Sequence, residues 1–398
     1  MSIFNSLGSN YNFSFVINKL FSSNDNNYQS KLIGLLEDRY GGKVTLVYKG
    51  REAIRLTLKS INLKGSSVAI CGFTCFAVWE AITREGYDVE YLDIEKDSLN
   101  FSAETLKVAI NKNPKIKVVM IQNTLGYPCD IEEIAEICKK NNLILIEDLA
   151  HSIGAKYKNG EEAGTVGDFT IFSFSQDKMI DNVSGGAMVI RNNKFPISNL
   201  KLPLMNRGQV IKDRIYPIIT FNIRKIYSIG VGKVLHKFSK AANILSKPMN
   251  YSDYENIHTL PIEYCKQIYQ QFLSFTRNQE HKAKIAGIYS SILDKTLISK
   301  KITQEIDKSS NLRFPIFAKD RNSLINFLKK EQIFISDIWY DAPISPKKYL
   351  QKTDYKKGLC PNSEYVSEII VNLPTHININ ESDAKKIAER INLWLISQ

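Results

Sequence analysis

Residues 131–151, IEEIAEICKKNNLILIEDLAH, change periodicity partway through. Apolar residues recur at helical spacing over Ile131–Lys140, and then run without a break from Leu143 to Ile146. A short apolar run bounded by polar residues reads as a strand buried on both faces. The same alternation extends in both directions. Strands are expected near Val44–Tyr48, Val68–Ile70, Val89–Leu92 and Val118–Ile121, with helices between them at Glu52–Ile61, Phe76–Glu85 and Ala103–Ile110. Two further strands, Phe169–Phe174 and Ala187–Ile190, follow with no helix between them. The expected fold class is α/β: a large domain with a mostly parallel, seven-stranded sheet sandwiched by helices, and a smaller C-terminal α/β domain. The latter is expected from a long helix (Ile262 to Leu293), a strand (Leu312–Phe317) and helices at Arg321–Glu331 and Glu381–Ser397. The expected organisation is an N-terminal arm (1–40), a large domain (41–200), a basic amphipathic insertion (201–260) and the smaller domain (261–398).

The composition fits this plan. A chain of 398 residues, 43% hydrophobic and 24% charged, can bury a large core. There is no apolar run long enough to span a membrane and no basic, apolar leader, so a cytoplasmic location is expected. The cysteines at 71, 75, 129, 138, 265 and 360 form no C-x-x-C pair, and no His is spaced with them for zinc, so buried, reduced thiols and no metal are expected. The net charge of +12 calls for an anionic partner. Between Lys201 and Leu260, ten Lys or Arg stand against three Asp or Glu. The rest of the chain is nearly balanced, which argues against a nucleic-acid stripe.

In a parallel sheet the ligand lies beyond the carboxyl ends of the strands. The strand Leu143–Ile146 runs into Glu147-Asp148, with His151 three residues beyond; by itself Asp148 reads better as a cap. The stretch Gly167-Asp168-Phe169-Thr170-Ile171-Phe172-Ser173-Phe174-Ser175-Gln176-Asp177-Lys178 brings a Ser and then a Lys to another strand end, and Gly185-Gly186-Ala187 allows a tight turn into the next strand.

Glu147-Asp148-Leu149-Ala150-His151, Gly167-Asp168, Phe172-Ser173-Phe174 with Lys178, and Gly185-Gly186-Ala187 resemble, in order and spacing, the pattern of the DegT/StrS-type nucleotide-sugar aminotransferases, which are fold-type I pyridoxal-phosphate enzymes. The resemblance extends from Gly50-Arg51-Glu52 to Leu373-Pro374-Thr375-His376 and leaves out residues 200–260. It implies pyridoxal 5'-phosphate as cofactor and Lys178 as the amine that forms an imine with its aldehyde and then moves the proton. It assigns Asp148 to the pyridine nitrogen, His151 to the side of the ring, Ser173 to the phosphate, and Gly50-Arg51 to the loop that cradles it. It also implies a homodimer, glutamate as amino donor and a nucleotide-linked keto-sugar as acceptor. The sequence departs from the pattern at Arg51, at Cys75 where the ring-stacking aromatic aligns (leaving Phe73, Phe76 or nothing), and in lacking the Asn-Tyr-Arg motif around Tyr254–Leu260. A nicotinamide dehydrogenase lacks support because no G-x-G-x-x-G follows an early strand. A sugar dehydratase of this fold would lack Lys178, and a non-catalytic cofactor-binding sensor is the remaining alternative.

From Ile218 to Phe238, apolar residues recur at helical spacing with Arg224, Lys233 and Lys237 towards the other side. One amphipathic helix is expected here, either packed on the protein body or lying on an anionic membrane surface.

Overall fold

The computed structural model describes residues 2–22, 25–195, 201–247 and 256–398. Seven strands form one sheet, in the order Lys43–Val47, Gly186–Ile190, Phe169–Ser173, Ile144–Asp148, Ile116–Ile121, Ser67–Cys71 and Asp88–Leu92. All pairings are parallel except those of Gly186–Ile190, which is antiparallel to both neighbours. Alternation along each strand feeds two cores. Val68, Ile70, Ile146 and Ile171 pack on one face, and Ala69, Cys71, Leu145 and Phe172 on the other. Each fully buried large apolar side chain contributes about 1.5–3 kcal/mol, which outweighs the weak strand preference of such short runs. The expected strands and helices of this domain all form, with ends displaced by a residue or two.

The C-terminal part is built on an antiparallel pair, Arg313–Phe317 with Ile370–Pro374. Helices Phe275–Ile292, Arg321–Lys330 and Glu381–Ile396 share a core with it through Tyr289, Phe314, Leu324, Leu373 and Ile391. The expected single helix from Ile262 to Leu293 is two helices, Ile262–Leu273 and Phe275–Ile292, broken at Ser274. Ser274 has ψ near 10° and its hydroxyl bonds back to the Gln270 carbonyl, in competition with the helical ladder. The break lets both Phe272 and Phe275 enter the core. The strand Ile370–Pro374 escapes a sequence reading because the helix Pro361–Ile369 runs into it with no turn residues between. At the other terminus, Ile3–Phe4 pairs with Ile333–Phe334, and the helix Phe13–Leu20 packs on Arg207–Lys225.

The expected helix over 218–238 is also corrected. Arg207–Lys225 and Val231–Ala241 are separate helices. Gly230 turns the chain at φ +86°, and a Cβ on Gly232 would stand 2.4 Å from the Ile223 carbonyl oxygen, so the second helix closes tightly against the first. The apolar residues therefore part company: Ile223 is buried, whereas Val231, Val234 and Phe238 are 54–70% exposed. The two ends of the insertion meet, with the Thr259 N–H donating to the Pro203 carbonyl at 3.0 Å beside the strand Lys43–Val47. Among the described residues no helix is long and apolar enough to cross a membrane.

Candidate active site

The carboxyl ends of the sheet gather the residues expected to carry chemistry. Asp148 closes its strand and is buried, and its carboxylate accepts from the Ala150 N–H at 2.9 Å. Burial pushes its pKa up to about 6, against the opposing pull of that N–H and of the Lys178 charge. Its neighbour Glu147 points to the opposite face, as strand alternation requires. There it accepts from the N–H groups of Gly164, Val166 and Gly167 at 2.6–2.7 Å and pairs with Arg191 at 3.3 Å, which pins the loop ahead of the next strand. The two adjacent carboxylates thus have different tasks, one towards the cavity and one within the scaffold.

Lys178 follows the strand Phe169–Ser173 through Asp177, which takes a left-handed φ of +60°. Burial depresses the Lys178 pKa, opposed by Cys75 and Asp148, so a larger fraction is the neutral, nucleophilic amine. Its Nζ lies 4.4 Å from the centre of the Trp339 ring. Trp339 comes from the C-terminal part and stacks on His151, with centroids 5.2 Å apart. Arg313 also packs on this ring, 4.1 Å from the Trp339 centroid and ion-paired to Asp337 at 3.0 Å. The His151 Nδ1 receives the Leu125 N–H at 3.2 Å. Burial, with the Lys178 and Arg313 charges, holds the His151 pKa well below its usual range. That hydrogen bond assigns the neutral tautomer with its proton on Nε2.

Gly50 begins the helix Gly50–Ile61, whose first turn has no side-chain cap. A Cβ at Gly50 would stand 2.7 Å from Ser173 Cβ and 3.1 Å from its Oγ. Only bare backbone lets the Ser173 hydroxyl lie against this helix start, and a hydroxyl beside a helix N-terminus is a cradle for a phosphate. The donor set therefore fits the phosphate of the cofactor the resemblance implies. The Arg51 guanidinium pairs with Glu80 at 3.1 Å, so its charge is engaged by a carboxylate. Lys49, the preceding residue, is buried with its Nζ 2.7 Å from Ser184 Oγ, and burial lowers its pKa to about 8.

Cys75 lines the cavity, whereas Phe73 stacks on Tyr340, and Phe76 on Trp79 and Tyr349. Neither phenylalanine lines it, and the aromatic residue at Lys178 is Trp339. Five of the six cysteines are buried thiols and Cys75 is the partly exposed one.

A single cavity of about 760 Å³ joins Gly50, Asp148, His151, Ser173 and Lys178. It brings together all six expected site residues, Arg51 included. The sequence reading missed Gln122, Trp339, Tyr340 and the part played by the insertion, whose His236, Ser239, Lys240, Ser246 and Lys247 line the same cavity. Gln122 was within reach, since it follows the strand Ile116–Ile121 and obeys the strand-end rule. The others arrive through tertiary packing that no local pattern encodes.

Comparison with known proteins points the same way. The sequence profile of the DegT/DnrJ/EryC1/StrS aminotransferase family matches residues 39–216 and 267–392, and so leaves residues 217–266 unmatched, including most of the insertion. The chain is 28% identical over 354 residues to GDP-perosamine synthase of Vibrio cholerae, covering 87% of this chain and 85% of that protein. It is 25% identical to the UDP-4-amino-4,6-dideoxy-N-acetyl-beta-L-altrosamine transaminase of Campylobacter jejuni, over 85% of this chain and 82% of that one. In fold it is similar to Helicobacter pylori PseC, an aminotransferase involved in the biosynthesis of pseudoaminic acid, with a TM-score of 0.72 at 16% identity and full coverage of both chains.

Proposed function

The chain belongs to the DegT/DnrJ/EryC1/StrS aminotransferase family, whose cofactor is pyridoxal 5'-phosphate, and from that premise we propose that it transfers the amino group of glutamate to a nucleotide-linked keto-sugar for amino-sugar or surface-polysaccharide synthesis. The observation that carries this reading is the convergence of Lys178, Asp148, Ser173 and Gly50 on one cavity. The names of the curated relatives supply the substrate class.

Pyridoxal phosphate, when bound, supplies an aldehyde that condenses with primary amines and a protonated ring that withdraws electrons. The chain's residues divide the remaining work. Gly50 and Ser173 hold the phosphate at the helix start. The Asp148 carboxylate keeps a proton on the pyridine nitrogen, and the cation stabilises the ionised form of this otherwise reluctant acid. His151 donates from Nε2 beside the ring. Lys178 would give the nucleophilic amine, and its Nζ would move a proton from the substrate carbon to the carbon that carried the cofactor's aldehyde. Trp339 closes the space over Lys178 and keeps water from it. Replacing Lys178 by Ala is expected to abolish turnover while leaving non-covalent cofactor binding; near-normal transamination by that variant would refute the assignment.

Two wider readings accompany this one. A homodimer is proposed on the family resemblance, and a fully active monomer in sedimentation at micromolar concentration would contradict it. Peripheral contact of an otherwise cytoplasmic enzyme with an anionic membrane is proposed for the helix Val231–Ala241. Its support is the outward face of Val231, Val234 and Phe238, flanked by the exposed Lys233 and Lys237.

A further inference from the structure

The helix Val231–Ala241 has a second face, and it points inward. His236, Ser239 and Lys240 line the catalytic cavity, joined by Ser246 and Lys247 from the turn that follows. The placement is built. Ser246 Oγ donates to the buried Asp213 carboxylate at 2.6 Å, and the same carboxylate accepts from Tyr48 and Tyr264 at 2.7 and 2.9 Å. Tyr48 immediately precedes Lys49 and Gly50, the start of the phosphate cradle. Gln176, two residues before Lys178, donates to the Ser246 carbonyl at 2.8 Å. The insertion is thus bolted to both the cradle and the lysine loop.

Charge gives this wall a purpose. Six cations line the cavity (Lys49, Arg51, Lys178, Lys240, Lys247 and Lys348) against the carboxylates Asp148, Asp177 and Asp337. Lys49 is bound to Ser184, Arg51 to Glu80, and Lys178 is the nucleophile. Lys240, Lys247 and Lys348 form no ion pair with a described residue. Lys240 and Lys247 are exposed cations that line the cavity, on an element held in place.

We propose that Lys240 and Lys247 of the insertion form a second phosphate-class site, distinct from the cofactor cradle, which takes the diphosphate of the sugar nucleotide in the same chain that supplies Lys178. The inference rests on the nucleotide-sugar reading above and adds which residues select that substrate. It also accounts for where the basic charge of the chain is concentrated: the insertion supplies in cis a cationic wall to each active site.

The test is calorimetric titration of the holoenzyme with UDP, GDP and inorganic pyrophosphate, for the wild type, K240A/K247A and K240R/K247R. Loss of two charge-assisted hydrogen bonds should weaken binding by about a hundredfold in the alanine variant, with most of it restored by arginine. Spectroscopic titration of the apoprotein with pyridoxal phosphate should give the same affinity in all three proteins. Equal diphosphate affinity in wild type and K240A/K247A overturns the proposal, and so does a selective loss of cofactor affinity, which would assign the lysines to the cofactor's phosphate. Lysine-dependent pyrophosphate binding without amination of any keto-sugar nucleotide supports the site and sinks the substrate reading. Amination with an unchanged KM in K240A/K247A does the reverse. Co-expression of K178A with K240A/K247A addresses the cis assignment: hybrid dimers should regain no site of normal KM, and regaining one would show that the lysines serve the partner subunit.

Discussion

Replacing Asp148 by Asn separates a catalytic carboxylate from a structural cap. In the cofactor-free protein Asp148 is buried, and its pKa stands at about 6 rather than 3.8 because desolvation penalises the charged form. The folded state therefore holds its proton more tightly than the unfolded chain. The sign follows: the associated stability is fully present below pH ~4 and is lost as pH rises through about 6. At 1.36 kcal/mol per tenfold change in acidity, the loss amounts to about 3 kcal/mol above pH ~7. Asn carries no charge, keeps an oxygen for the Ala150 N–H, and places its amide at the cavity where water can reach it. The cofactor-free D148N protein should thus match the wild type near pH 4 and exceed it by up to about 3 kcal/mol near pH 8, a gain of several degrees in melting temperature. Turnover should fall by several orders of magnitude, since nothing then holds the proton on the ring nitrogen. Urea denaturation of the apoprotein across pH 4–8, with single-turnover kinetics of the reconstituted enzyme, measures both. A lower melting temperature with an unchanged rate per folded molecule would make Asp148 a cap and remove it from the site.

Other substitutions probe the surroundings. Gly50→Ala drives a Cβ into Ser173, and should lower cofactor affinity at least tenfold and cost about 1–3 kcal/mol of stability; unchanged cofactor binding would show that the cradle lies elsewhere. If the helix Val231–Ala241 lies on acidic lipid, co-sedimentation with anionic vesicles should occur at low salt, weaken at moderate salt and vanish in V234D/F238D. Absence of binding at low salt would refute the membrane reading, and a change of oligomeric state in the variant would assign the face to a second copy.

The large domain was readable because its strands are short, rich in apolar residues and mostly separated by helices of clear period, as at Ile131–Lys140 followed by Ile144–Asp148. Local pattern also placed Asp148, Ser173 and Lys178 at strand ends, where a parallel sheet collects its ligands. It failed where long-range packing overrides periodicity. Nothing at Ser274 announces that two phenylalanines on either side must both turn inward. The apolar spacing over 218–238 is genuine, yet Gly230 and Gly232 fold it into two helices with different surroundings. Trp339 reaches Lys178 only because the C-terminal part closes over the sheet.

The meeting of the insertion's two ends at Pro203 and Thr259 has an evolutionary side. A segment that leaves and re-enters the scaffold at one point can change in length at a loop-closure cost that grows only logarithmically, without moving the sheet. Residues 204–258 thus behave as an exchangeable cassette, by which a lineage could trade one acceptor for another while conserving the chemistry. The exchange carries conditions, the first being an acceptor for Gln176 at the lysine loop. A replacement must also bring a carboxylate to the position of Asp213, or it strands two buried phenols, Tyr48 and Tyr264, without their acceptor. A chimaera that ignores these should fold poorly, and one that respects them inherits a finished active site with a new mouth.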